Sequence, residues 1–290
     1  MHSILQHLRF PFSFLLMPVF VLAVLTAPDA LLSASAQSLI ILFIGLHVFI
    51  YPSSNAYNSY QDKDTGSIGL IKTPLPTSKG LFYITILFDL IGLILIVLYC
   101  PKNTVVLILL YIVASKGYSW RKIRLKKHPI LGFLTVFLFQ GALIYQAVIS
   151  SIGGNIFEEN HLKMAIISSL LFGGAYPLTQ IYQHESDQRD GVKTLSMLLG
   201  IQGTFIFSGT LFIAGFLGLL YCTSFELLSI FWVYSLVFLL PIIGYFVYWQ
   251  WLCLKNKSEA NYKNTMRAIL LSALCMNLMV VSLLILKLSH

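Results

Sequence analysis

The run Leu81-Phe-Tyr-Ile-Thr-Ile-Leu-Phe-Asp89-Leu-Ile-Gly-Leu-Ile-Leu-Ile-Val-Leu-Tyr-Cys100 carries one charge in twenty residues. As a helix, twenty residues reach ~30 Å, the thickness of the hydrocarbon core of a bilayer. A water-soluble domain has no core that buries such a helix on every side. The run therefore predicts a transmembrane helix.

The rest of the chain repeats the pattern. Apolar runs fall at about 10–28, 36–54, 81–100, 104–118, 130–151, 162–182, 201–222, 227–250 and 265–288. The first follows Arg9 and precedes Ala34-Ser35-Ala36, as a cleaved leader would, but it is long for one and further apolar runs follow. It reads as the first span. The short fourth run pairs with the third as a hairpin across Pro101 and Asn103. Of all residues 57% are hydrophobic and only 10% charged, with nothing left over for a soluble domain. The expectation is one all-α integral membrane domain over 1–290, with about nine transmembrane helices. Cys100, Cys222, Cys253 and Cys275 lie in or beside apolar runs and form no CxxC pair, so they read as small apolar residues.

The net charge of +8 does not imply a nucleic-acid partner, because the basic residues sit in loops between apolar runs. With the N-terminus cytoplasmic, those loops place sixteen of the nineteen lysines and arginines on the cytoplasmic side. Only Lys102, Lys163 and Lys287 fall opposite. That asymmetry fixes the expected orientation. The loop cations are then free to meet anionic headgroups or an anionic substrate.

Three stretches carry candidate chemistry, all on the cytoplasmic side. The first is Asn55-Ala-Tyr-Asn58-Ser-Tyr-Gln61-Asp62-Lys63-Asp64. If the second helix continues through it, Asn58 and Asp62 stand at i and i+4 on one face, with Asn55 a turn back. Stacked oxygen ligands suit Mg²⁺, although a polar helix end meeting water gives the same pattern. The second is Gln183-His-Glu185-Ser-Asp187-Gln-Arg-Asp190-Gly191-Val-Lys193-Thr194, where Gln183 and Asp187 repeat the spacing and Gly191 can stop the helix. The third is Tyr118-Ser-Trp-Arg121-Lys122-Ile-Arg124-Leu-Lys126-Lys127-His-Pro129, whose cations either anchor the helix ends or clamp a diphosphate. Lys72 and Lys193 follow the two acidic clusters and are candidates for the same work. Asp89 stands apart inside the third span, as either a functional intramembrane acid or one paired with a neighbouring helix.

Together these stretches resemble the UbiA-type intramembrane prenyltransferases. Asn58 and Asp62 match the family's first acidic motif, and Lys72-Thr-Pro-Leu-Pro76 resembles the segment after it. Tyr118-Ser119 with Ile123-Arg124-Leu125-Lys126 resembles the segment after the fourth helix, and Asp187 with Gly191-Val-Lys193-Thr-Leu195 resembles the end of the second motif. The chain also departs from the family. Ser59 stands where an acid is common, Gly66 takes the last acidic position of the first motif, and Gln183 replaces the first acid of the second.

The resemblance implies helices around a lipid-accessible cavity and a Mg²⁺-dependent transfer from a prenyl diphosphate to a lipophilic acceptor, an aromatic or quinone precursor. It makes Asp62 and Asp187 the catalytic acids. The metal ligands come from Asn58, Asp62, Asp64, Glu185, Asp187 and Asp190, and the diphosphate contacts from Lys72, Arg124, Lys126 and Lys193. The same fold without an acceptor leaves open a terpene cyclase, and the thinned acids leave open a non-catalytic isoprenoid-binding protein. A transporter fits less well, since transporter sites lie near the bilayer midplane. The expected location is a bacterial inner membrane.

Overall fold

The computed structural model describes residues 2–63, 65–222 and 225–289. Ten helices are numbered here in chain order. They are α1 (His2–Thr26), α2 (Asp29–Ala34), α3 (Ala36–Asp62), α4 (Lys79–Tyr99) and α5 (Lys102–Ser119), then α6 (Pro129–Ser151), α7 (Glu159–Arg189), α8 (Leu195–Cys222), α9 (Phe225–Lys255) and α10 (Tyr262–Ser289). Among the described residues, eight helices are long and apolar enough to cross a membrane. The ninth expected span, 104–118, is helical as α5 but does not join them. Lys102 and Asn103 at one end and Ser115, Lys116 and Ser119 at the other dilute its apolar centre. The tight hairpin expected between α4 and α5 is present, turning through Cys100 and Pro101.

The helices are held by two kinds of contact. One buried cluster runs through the bundle, with Leu42, Leu46, Ile96, Ile108, Ile144, Val148 and Val280 fully enclosed. Outward faces stay apolar, as at Leu90, Ile94 and Leu98 of α4, which are half exposed or more and suit contact with lipid. Where helices cross closely, glycine makes room. A Cβ on Gly141 would stand 2.4 Å from Ser169 Cα, so α6 and α7 meet backbone to backbone. At that crossing α6 carries a π-helical turn, Phe137–Ala142, and α3 carries another at Gly45–Ile50. Single π turns insert a residue and re-aim the side chains beyond them.

The first and last helices pack against each other and close the bundle. Lys287 of α10 pairs with Asp29 at 3.0 Å and donates to the carbonyls of Leu25 and Ala27 at 3.1 and 2.5 Å. The end of α1 is thereby capped by a cation, the sign that its exposed carbonyls favour.

The opposite end gathers the charged loops. Here Ser3, Gln6 and His7 of α1 bond backbone groups of Thr73, Leu75 and Pro76 in the α3–α4 loop. Arg9 donates to Asn55 O at 2.7 Å and to Ser59 Oγ at 3.4 Å. Gly69 N–H donates to the Tyr182 hydroxyl, joining that loop to α7.

Gly141→Ala is expected to lower stability by about 1–3 kcal/mol, since the added methyl meets backbone that cannot rotate aside. Thermal unfolding in detergent measures it. An unchanged melting temperature would show that α6 and α7 can separate freely at this crossing.

Candidate functional site

The site forms where α3, the end of α7 and the α5–α6 loop converge. The second span does continue as a helix to Asp62, and Lys63 ends it in the left-handed conformation at φ 54°. Asn58 and Asp62 consequently share a face. Asn55, a turn back, bonds Ser13 Oγ at 3.5 Å and does not join them. On α7 the helix tightens to a 3₁₀ turn at Ile181–Gln183 and resumes over His184–Arg189. Gly191 follows at φ 66°, and Val192 N–H returns to Asp187 O at 2.8 Å, closing the helix end. That turn carries the Asp190 side chain back toward α3.

The α5–α6 loop lies between these two ends. Arg124 is also left-handed, at φ 47°, and its N–H bonds Trp120 O at 2.6 Å. A non-glycine residue in this conformation costs ~1–2 kcal/mol, and the contacts of its side chain offset that strain. Arg124 Nη2 reaches Asp62 Oδ1 at 3.3 Å and forms a closer ion pair with the Asp190 carboxylate. Its Nη1 donates to Asp190 O at 3.2 Å. Lys126 forms a close ion pair with Asp62 and lies 3.5 Å from Asn58 Oδ1. Arg121 donates to Gln61 O at 2.6 Å and meets Asp190 at 3.3 Å. The side chains of Asp62, Arg124 and Lys126 are 5%, 9% and 11% exposed, so this part of the lattice is shielded from counter-ions, whereas Asp190 and Arg121 meet solvent.

Charge placement sets the ionisation. Burial raises the Asp190 pKa, but the Arg124 hydrogen bond and the charges of Arg124, Arg121 and Lys126 outweigh it, and the net shift is downward. For Arg124, burial is opposed by Asp190 and Asp62, which hold the guanidinium above its ordinary value. Both groups stay charged across the physiological range.

Not every expected residue arrives. Asp187 is half-buried near Tyr118 and Tyr176, whose hydroxyls bond each other across α5 and α7. Glu185 faces outward, 81% exposed, and pairs with Arg189 a turn later on the surface. Lys72 and Lys193 are exposed on the flanking loops and make no ion pair among the described residues, although Lys193 N–H donates to Lys127 O at 3.4 Å. Asp64 lies outside the described residues. Asp89 proves to be paired, meeting Lys116 of α5 at 2.7 Å. Two residues gain a role that their spacing did not signal. Arg121 locks α3 to Asp190, and Arg9 occupies the side of α3 where Ser59 replaces an acid.

The residues suit a hard cation. Asn58 Oδ1 and an Asp62 oxygen both point at the Lys126 ammonium, so a centre of positive charge already sits where two oxygen ligands converge. Among the described residues no group of three or more His, Cys, Asp and Glu side chains is placed to hold a metal. Any cation here would rely on a mixed set of carboxylate, amide and water oxygens.

Fold and site together define an integral membrane protein with an oxygen-and-cation centre at one rim of a helical bundle. The chain matches the family model described as the UbiA prenyltransferase family over residues 15–282, and it belongs to that family. A UbiA homologue from Archaeoglobus fulgidus, solved bound to DMAPP and Mg²⁺, is 15% identical with a TM-score of 0.64, covering 97% of this chain and 99% of that one. The same homologue bound to GPP and Mg²⁺ gives 14% and 0.58 over the same shares. A structure concerned with digeranylgeranylglyceryl phosphate synthase is 17% identical with a TM-score of 0.58, covering 98% of this chain and 97% of that one. At these identities the likeness bears on the fold. Among curated proteins, no sequence matches.

Arg124→Lys keeps the charge but loses the planar fork that reaches two carboxylates at once. It is expected to free the α5–α6 loop, read as faster tryptic cleavage after Lys126 and Lys127 in the folded protein. Cleavage at the unaltered rate would show that Arg124 does not hold the loop.

Proposed function

We propose that this protein transfers a prenyl group from a polyprenyl diphosphate to a lipophilic acceptor, an aromatic or quinone precursor, with Mg²⁺. The observation that carries the reading is the Arg124–Lys126 pair set against Asp62, Asn58 and Asp190 at the membrane rim. Family membership supports it, as do the related structures that hold prenyl diphosphates with Mg²⁺.

Asn58, Asp62, Asp187 and Asp190 are the residues that would hold Mg²⁺. When bound, Mg²⁺ neutralises charge on the diphosphate oxygens and makes diphosphate a better leaving group. The chain's own part is to supply fixed positive charge where negative charge grows. Arg124 and Lys126 face the acids from one loop and give the diphosphate donors when it arrives. Lys72 and Lys193, exposed on the flanking loops, are further contacts for it. Breaking the allylic C–O bond yields a prenyl cation and diphosphate. The acceptor ring then attacks the cation and loses a proton. Tyr118 and Tyr176, which bond each other across α5 and α7, offer aromatic faces that stabilise a cation. The apolar bundle beneath keeps water from quenching it.

A second reading has its own observation. Ser59 and Gln183 stand in place of acids, Glu185 turns outward, and no three-acid group forms among the described residues. A member that binds isoprenoid lipid without catalysis would look the same.

Purified protein with labelled geranyl, farnesyl or geranylgeranyl diphosphate is expected to release diphosphate with Mg²⁺ and not with EDTA. Release that depends on a quinone-precursor acceptor identifies a transferase; release without one identifies a cyclase. Asp62→Ala and Asp187→Ala are each expected to lower turnover at least about a hundredfold while the protein stays folded. Full activity in both variants would refute the assignment, and no release with any donor would favour the non-catalytic reading.

A further inference from the structure

The ion pair between Asp89 and Lys116 joins the middle of α4 to the rim end of α5 and takes no part in the chemistry above. Asp89 sits in the middle of α4, and Lys116 in the last turn of α5. Their side chains are 16% and 24% exposed, so the pair faces protein more than lipid. The Lys116 ammonium also donates to Ser53 Oγ of α3 at 3.0 Å and stands over the Tyr57 ring, 4.6 Å from its centroid. Ser53 Oγ in turn donates to Thr85 O of α4 at 2.9 Å. One lysine thus ties three helices together. Beside it, Ser54 and Ser115 join α3 to α5 at 2.5 Å.

Adhesion alone does not account for this pair. Burying two charges costs desolvation that an apolar pair of the same size avoids, and more so inside a membrane. Helices α3 and α4 already meet closely at Gly92, where a Cβ would stand 3.0 Å from Ile50 and Phe49 side chains. What an ion pair adds is direction. Apolar side chains tolerate slip and rotation, whereas a carboxylate–ammonium bond with a second acceptor on a third helix does not.

The direction it fixes bears on the rim. Lys116 precedes the loop that carries Arg121, Arg124 and Lys126, and Ser53 and Tyr57 precede Asn58 and Asp62 on α3. Rotation of α5 against α3 would carry the loop cations off the acids. We propose that Asp89 and Lys116 are positioning residues: they set the rotation of α5 against α3 so that Arg124 and Lys126 meet Asp62 and Asn58. The proposal rests on the reading of that cluster as the diphosphate site, but its first test does not require turnover.

That test compares Asp89→Asn, Lys116→Met, the neutral double variant and the exchanged pair Asp89→Lys with Lys116→Asp. Hydrogen exchange of backbone amides in residues 120–128 is followed in ligand-free protein. Each single variant is expected to speed exchange there about tenfold while α10 exchanges as before. The KM for prenyl diphosphate is expected to rise about tenfold, with a smaller change in kcat. The exchanged pair is expected to recover most of both effects. Should the single variants not fold, the neutral double variant leaves no unpaired charge, and it is expected to fold with the loop still loosened. Wild-type exchange in 120–128 for whichever variants fold would overturn the proposal. So would a lowered melting temperature with loop exchange and KM unchanged, which is the behaviour of a purely structural pair. If the wild type turns over no donor, the proposed function falls, and loop exchange still decides this inference.

Discussion

Hydrocarbon offers a backbone no partner for its N–H and C=O groups, and the rest of this structure follows from that constraint. Within the lipid the chain must stay helical, so irregular turns and most charges are driven to the two rims. The rim that holds the longer loops becomes the place where polar chemistry can be assembled. There the end of α3, the turn after α7 and the loop after α5 come within ion-pair distance of one another. They lie far apart in sequence, and the helices between them act as spacers.

The acids and cations at that rim are matched closely. Arg124 ion-pairs with both Asp62 and Asp190, so the two acidic halves share a counter-charge. Incoming diphosphate and metal would have to exchange partners with these groups. A cation taking the Asp62 oxygens would displace Lys126 and Arg124, which then become donors for the diphosphate. On the proposed function, the lattice holds against each other the charges that a prenyl diphosphate with its metal would need.

Much of this was legible in the residues. Periodicity placed Asn58 and Asp62 on one face because a helix of known pitch ran through both. Gly191 marked a helix end because a positive φ suits glycine. Arg124 and Lys63 adopt the same left-handed conformation with no glycine to announce it, so the directions of the loop and of the chain after Asp62 were hidden. The contacts of Asp190 and Arg121 depend on the Gly191 turn and on the path of the α5–α6 loop, which spacing along one helix does not show. Glu185 shares a cluster with both acids in sequence, but the 3₁₀ turn before it rotates it outward. As a span α5 is harder to read, because its polar ends serve helix contacts such as Lys116 with Asp89.

The clasp between Lys287 and the end of α1 has a meaning in time as well as space. Residues 25–29 are synthesised well before Lys287, which follows some 260 positions later. Until α10 inserts, the partner face of α1 has only lipid or the translocation machinery to rest against, and the ring of helices is an open horseshoe. The interior is sealed only once α10 has been made. A nascent chain released early would present a bundle with a missing wall, and quality control that senses unpartnered faces in the membrane could recognise it by that gap.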